Sequence, residues 1–220
     1  MGVEFMSDYQ KFQAEILDVK LTVEAANTFT ADFINCNAAD FAIEKVGDTI
    51  KLIQKKRVQI NRNWHTWIIE GMCEVKITLP ASLEFCRIAA ASGIVIVQGM
   101  QLKQLEVEVS DGTATAKDVQ ADEVSLFCED GIANGKNIIV RKLCKISTDN
   151  GVSKLSGKLN FPYELSVVCE NGLTDSEEEE QRELYAADNL PDAAVIGGTA
   201  ASPAQYRVYC ENGIATYNLI

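Results

Sequence analysis

Seven cysteines, one histidine, two tryptophans and two groups of carboxylates are the residues of this 220-residue chain that could do more than pack. The cysteines stand at positions 36, 73, 86, 128, 144, 169 and 210. Their number is odd and no CxxC occurs, so their spacing suggests neither a disulfide framework nor a zinc site. The histidine lies in Trp64-His65-Thr66-Trp67, with no GxSxG in the chain and no cysteine beside it. A nucleophile for it to activate is therefore not evident. The two tryptophans suit sugar stacking, but on a β-rich end segment the simpler reading is that they cover an open core. Glu106 and Glu108 fall on one face of a strand pattern, as paired carboxylates of sugar-cleaving enzymes do. Outward acids also keep a β surface soluble, so the pair assigns no reaction. Glu177, Glu178, Glu179 and Glu180 form an acidic run without the ligand spacing of an EF-hand. It reads as a solvated loop, with an interaction loop as the functional alternative, because loops on rigid scaffolds often carry function. No P-loop or GxGxxG stands in a suitable context. No catalytic, cofactor-binding or metal-binding residue is assigned, no cofactor is expected, and the chain is read as a non-enzyme.

The elements that position these residues announce themselves through glycine. Gly93, Gly112, Gly131, Gly151, Gly172 and Gly213 each follow Ser, Asp or Asn, at steps of 19, 19, 20, 21 and 41 residues. The last step is one 20 plus one 21. A fixed period of this length signals a repeat architecture. Seven, five and three residues before the glycines stand three apolar or small columns: Leu105, Val107 and Val109 in one copy, Cys144, Ile146 and Thr148 in another. Polar residues alternate with them, the period of a strand with one buried face. Asx-Gly supplies the positive φ of a sharp bend, so these six glycines are read as structural turns. The residue after each glycine is again apolar in most copies (Ile94, Ile132, Val152, Leu173, Ile214), so the chain is expected to rebury at once. Met100, Val119 and Ile138 share a later column. Stacked units bury such columns as continuous ladders. The expected fold is all-β: a single-stranded β-helix, or β-solenoid, with coils of about 20 residues and an irregular β cap at its N-terminal end. Parallel crossovers favour a right-handed coil.

The cysteines fall into these inward columns. Cys86 and Cys144 share one, and Cys128, Cys169 and Cys210 share another. In chain order Thr148 separates Cys128 from Cys169, and two steps of about 4.8 Å exceed the ~7 Å reach of a disulfide. Free buried thiols acting as small apolar residues are expected, which favours a reducing compartment.

Residues 1–15 read as a tail or capping segment. Residues 16–220 read as one domain: cap and irregular first coils over 16–80, regular coils over 81–173, an acidic and then Gly/Ala/Ser/Pro-rich insertion over 174–205, and a last coil over 206–220. Val46-Gly47-Asp48 marks a hairpin within the cap.

A net charge of −12 opposes binding to nucleic acid or anionic lipid. No run of about 20 apolar residues occurs, so no membrane insertion is expected. Residues 1–17 lack the pattern of a signal peptide. A cytoplasmic location follows if the chain is full length, and a cell-surface location if an export or anchor segment has been trimmed.

The phrases LEVEVSDGTATAKDVQADEVSLFCEDGIANGKNI and LCKISTDNGVSKLSGKLN, with the opening EVKITLPASLEFCRI, resemble the bacterial putative-adhesin domain family of unknown function. The resemblance covers roughly residues 16–220. It implies a single-stranded β-helix, no known catalysis and a surface or binding role, and it names no catalytic residues to carry over. The expected function is a non-enzymatic binding or adhesion module presenting a rigid β surface to an unknown protein or glycan. The alternatives are an intracellular scaffold that self-assembles through its solenoid ends and, behind it, a carbohydrate-active enzyme.

Overall fold

Alternating burial along every pass of the chain builds strands, and the glycines let those strands turn without breaking their pairing. The computed structural model describes residues 9–58, 72–159, 163–176 and 203–219. Nine strands run in chain order: β1 Lys11–Ala26, β2 Thr30–Ile34, β3 Phe41–Val46, β4 Thr49–Gln54, β5 Glu74–Pro80, β6 Phe85–Gln98, β7 Gln104–Gly157, β8 Tyr163–Ser176 and β9 Ala204–Leu219. Among the described residues the one helical element is a 3-10 turn, Ala38–Asp40, capped by the side chain of Asn37. The protein is all-β.

β7 is 54 residues long because it contains three successive passes that bend at Gly112, Gly131 and Gly151. The passes stack parallel and in register. Gly93 pairs with Gly112, Gly151 with Gly213, and Gly213 with Gly172. A Cβ on Gly131 would run into the carbonyl oxygen of Gly112, and one on Gly151 into that of Gly131. The glycines thus form one ladder. The three columns before them are buried throughout β6, β7 and β9, from Cys86, Ile88 and Ala90 to Tyr206, Val208 and Cys210. Met100, Val119 and Ile138 are buried as well.

The structure corrects the reading after the glycine. Inward positions there are the second and fourth residues, as in Val95 and Val97 or Ala114 and Ala116, while Ile132 and Leu173 are exposed by 43% and 67%. The left-handed glycine, φ +137 at Gly112, rotates the chain at the bend and breaks the alternation there. The apolar residue following each left-handed corner glycine therefore faces outward, and Leu173 does so after Gly172, which is not left-handed.

Chain order and stacking order differ at both ends. The sheet runs β2-β5-β1-β6-β7-β9-β8, with β4 also paired to β1 and β3. The segment Lys11–Glu15, read as part of a tail or capping segment, is core: Phe12 and Ala14 are buried and stand opposite Cys86 and Ile88. It escaped the repeat pattern because β1 turns its corner at Asp18-Val19 rather than at a glycine. Below β1, one rung is made of two pieces. β4 pairs with Lys11–Glu15, and β5 pairs with Lys20–Ala26. β3 and β2 then add to β4 and β5 antiparallel, which ends the parallel stack. At the other end, the last segment in sequence is not the last rung. β9 lies between the final pass of β7 and β8.

Candidate binding groove

Six residues after the first four corner glycines lies a second ladder of left-handed residues: Gly99 (φ 65), Asp118 (φ 53), Asn137 (φ 52) and Gly157 (φ 97). Asn and Asp tolerate this conformation better than other residues with a Cβ. The side chains stitch the ladder together, with Asn137 Nδ2 donating to Asp118 Oδ1 at 2.8 Å. Gly, Asp, Asn and Gly at a constant offset of six was the sequence signal for this corner, and the sequence reading passed over it.

Past this second corner the chain returns toward the next pass. The Leu102 amide donates to the Gln120 carbonyl at 2.9 Å, and the Gln120 amide to the Met100 carbonyl at 2.9 Å. Gln101 and Gln120 pair as a parallel bridge. Lys103 and Gln104 both donate their amides to the carbonyl of Glu84. These stacked returns leave a groove of about 400 Å³ across neighbouring coils. Ser82, Glu84, Gln101, Lys103, Gln120 and Arg141 bring its polar groups. Leu83 and Ala121 are buried beneath them. The charges are balanced locally: Lys103 Nζ lies 2.8 Å from Glu84 Oε2, and an Arg141 nitrogen 3.2 Å from Asp122 Oδ1. What remains available is a set of amides and a hydroxyl over a partly apolar floor, suited to hydroxyl-bearing or amide-bearing ligands.

The residues singled out by sequence are distributed as follows. The six corner glycines lie on one ladder, and four of the residues before them, Asp130, Asn150, Asn212 and Asn171, form an outer hydrogen-bonded row. Asn150 donates to Asp130 at 2.9 Å, Asn212 to Asn150 at 3.2 Å and Asn171 to Asn212 at 3.2 Å. Glu106 forms an ion pair with Arg87 at 3.5 Å, and Glu108 is exposed on the same strand. Glu177, Glu178, Glu179 and Glu180, and the Trp64-His65-Thr66-Trp67 segment, lie outside the described residues. Among the described residues no group of three or more His, Cys, Asp or Glu could hold a metal ion.

The cysteine assignment needs correction. Cys36 and Cys73 form a disulfide with a Cα–Cα distance of 5.1 Å. It lies where β2 ends and β5 begins, in the antiparallel cap. The two residues sit off the repeat period, so no column register pointed to the pairing. The other five cysteines are free. Burial pushes the thiols of Cys86 and Cys144 up to about 12 and keeps them protonated.

A second feature lay beyond the sequence pattern. The bipartite rung has no strand beneath the corner of β1, because β4 stops at Gln54. Gln54 Oε1 instead accepts from the amides of Leu17 and Asp18, at 2.8 and 3.2 Å. Its Nε2 donates to Asp18 Oδ1 at 2.6 Å and to the Lys56 carbonyl at 2.8 Å. A side-chain amide thus completes the missing backbone rung.

No protein-family model and no curated protein matches the chain. Among solved structures it is similar to a putative cell adhesion protein from Clostridium sporogenes ATCC 15579. That match has a TM-score of 0.50 and 10% identity, and covers 100% of both chains. It is also matched to putative adhesins from Bacteroides fragilis NCTC 9343 (TM-score 0.43, 12% identity) and Parabacteroides distasonis ATCC 8503 (TM-score 0.36, 9% identity). Each of these two matches covers 100% of this chain and 96% of the other. The Clostridium likeness establishes a shared fold. Among the described residues no helix is long and apolar enough to cross a membrane.

Proposed function

We propose that this chain is a non-enzymatic binding module of adhesion type that acts outside the reducing cytoplasm. The observation carrying this reading is the groove at the second corner. In-register stacking there sets Gln101 beside Gln120 and repeats the return-segment backbone, so the backbone of the lining is in place before a ligand arrives. A preformed groove loses little ordering entropy on binding. Its neutral amides and internally paired charges favour a glycan or an uncharged peptide segment. The net charge of −12 disfavours nucleic acid and anionic lipid. The descriptions of the solved structures as cell adhesion protein and adhesins agree with this reading. The Cys36–Cys73 disulfide supports an oxidising compartment, since such bonds persist there and are rare in the cytosol.

The test is a screen of the purified chain against immobilised glycans and host or matrix proteins. It is repeated with a variant carrying Gln101→Ala, Gln120→Ala and Arg141→Ala. Binding that the variant loses while keeping its melting temperature places the ligand in the groove. Binding equal in both proteins, or hydrolysis of a glycan, overturns the reading.

A second reading has its own observation. β8 is the outermost rung and pairs, among the described strands, with β9 alone. Strand edges template further pairing. Self-association through this end predicts a molecular mass that rises with protein concentration in sedimentation.

A further inference from the structure

The reversed order of the last two rungs brings together two cysteines that the repeat alone keeps apart. In sequence Cys169 and Cys210 are 41 residues distant. In the sheet they are direct partners on β8 and β9, in the column that continues through Thr148 to Cys128. Parallel neighbours stand about 4.8 Å apart, inside the Cα range of 4.4–6.8 Å that a disulfide spans. Both side chains lie on the inward face. The Cys169 thiol points back along the stack at its partner's rung, donating to the Gly213 carbonyl at 3.3 Å, whereas the Cys210 thiol donates onward to the Gly151 carbonyl at 3.5 Å and turns about its Cα–Cβ bond to meet it. Cys169 therefore reaches toward the rung that carries Cys210. Every other free cysteine lacks such a partner. Cys128 is separated from Cys210 by Thr148, and Cys86 from Cys144 by Leu105 and Val124.

Access is asymmetric in a useful way. Cys210 is fully buried, while Cys169 on the outermost rung is half-buried. An incoming oxidant meets Cys169 first and finds Cys210 behind it, the arrangement of an attacking thiol and a resolving thiol.

From this we infer that Cys169 and Cys210 are an oxidation site that closes to a second disulfide and fastens the outermost rung to its neighbour. The oxidant is a disulfide, either a small-molecule one or a thiol-oxidising protein. The Cys169 thiolate attacks one sulfur of that disulfide, forming a mixed disulfide and expelling one thiolate. Cys210 then attacks Sγ of Cys169, forming the Cys169–Cys210 bond and expelling the second thiolate. The two protein thiol protons end on the two released thiols, so the protein loses two electrons and the oxidant gains them. With Cys36–Cys73 at the antiparallel cap, the oxidised stack carries one covalent clasp near each end.

Oxidised glutathione added to the purified full chain tests this. Alkylation in denaturant should count five thiols before treatment and three after, and non-reducing peptide maps should join the peptides of Cys169 and Cys210 within one chain. The melting temperature should rise by roughly 5–10 °C and fall back on reduction. Cys169→Ser should prevent both the loss of two thiols and the shift, whereas Cys128→Ser should leave both intact. Five thiols surviving treatment, a stable glutathione adduct on Cys169, or a bond from Cys169 to another cysteine or another chain overturns the assignment. The peptide map of the unsubstituted protein decides the matter even where a variant folds poorly.

Discussion

The carbonyl oxygen of Gly93 occupies the space that a Cβ on Gly112 would need. Gly112 also has φ +137, a conformation costly for any residue with a side chain. The two penalties act together at one bend, and the obstructing atom is backbone that neighbouring rungs hold in place. Gly112→Ala is expected to destabilise the fold by about 3 kcal/mol or more. Gly47, at φ +62 in the Gly47-Asp48 hairpin loop, has open space around it, so Gly47→Ala should cost only about 1–2 kcal/mol. Urea unfolding of the two variants checks the difference. Equal costs would mean that stacking contact contributes nothing beyond φ.

The Cys36–Cys73 bond closes a sequence separation of 37 residues around the antiparallel cap. Replacing both residues by alanine should lower stability by about 2–4 kcal/mol. The loss should appear as a lower urea midpoint, since the folded contacts of β2 with β5 remain possible in the variant. An unchanged midpoint in the doubly substituted protein, measured beside the oxidised parent, would show that the cap is held without the bond.

Gln54 satisfies two amides of β1 and one oxygen of Asp18. Gln54→Leu keeps the volume and removes every one of these partners. Leaving buried polar groups unpaired should cost about 2–4 kcal/mol. Gln54→Glu restores an acceptor for the amides but sets a second carboxylate against Asp18. Its stability should therefore improve as pH falls and the introduced group takes up a proton. A Gln54→Leu protein as stable as the parent would rule out the proposed rung completion.

The buried thiols and Tyr9 set an alkaline limit. In the unfolded chain a thiol ionises near 9.0, while burial holds Cys86 and Cys144 protonated up to about 12. Tyr9 is likewise raised from 10.0 to about 12 by burial. Between these values the folded state binds more protons than the unfolded state. Stability is then full below about pH 9 and falls as pH rises toward about 12. Melting temperatures measured from about pH 8 to about pH 11 should decline, and Cys86→Ala with Cys144→Ala should flatten the decline. Native Cys86 and Cys144 should also resist thiol reagents until the chain unfolds.

Much of the architecture was legible in single columns of residues. Cys86, Ile88 and Ala90, and their counterparts up to Tyr206, Val208 and Cys210, repeat with the glycines and are buried as the alternation requires. The hairpin at Gly47 was equally plain, because a short apolar-flanked turn is a local signal. What escaped reading is non-local. Phe12, Ala14 and Ile16 supply a full rung, but no glycine marks its corner. The outward placement of Ile132 depends on how far the left-handed bend at Gly131 rotates the strand that follows. The pairing of Cys36 with Cys73, and the placement of β9 inside β8, depend on which surfaces meet after long connections, which no periodicity records. The groove was missed for a related reason: its lining comes from return segments, whose side chains vary while their backbones stack.

Because β9 lies inside β8, a ribosome delivers the rungs of this protein out of their stacking order. β8 emerges before the surface on which it rests exists, and the final pass of β7 must stay open until β9 can slot against it. Zipping from one end, the simplest way to grow a coil stack, is therefore unavailable for the last two rungs. They must be placed as a pair, or β8 must wait with its apolar face unprotected. The same lacing acts in reverse on the finished molecule. Chain runs away from the outermost rung in both directions, to β7 and to β9, so that rung has no loose end by which to begin peeling.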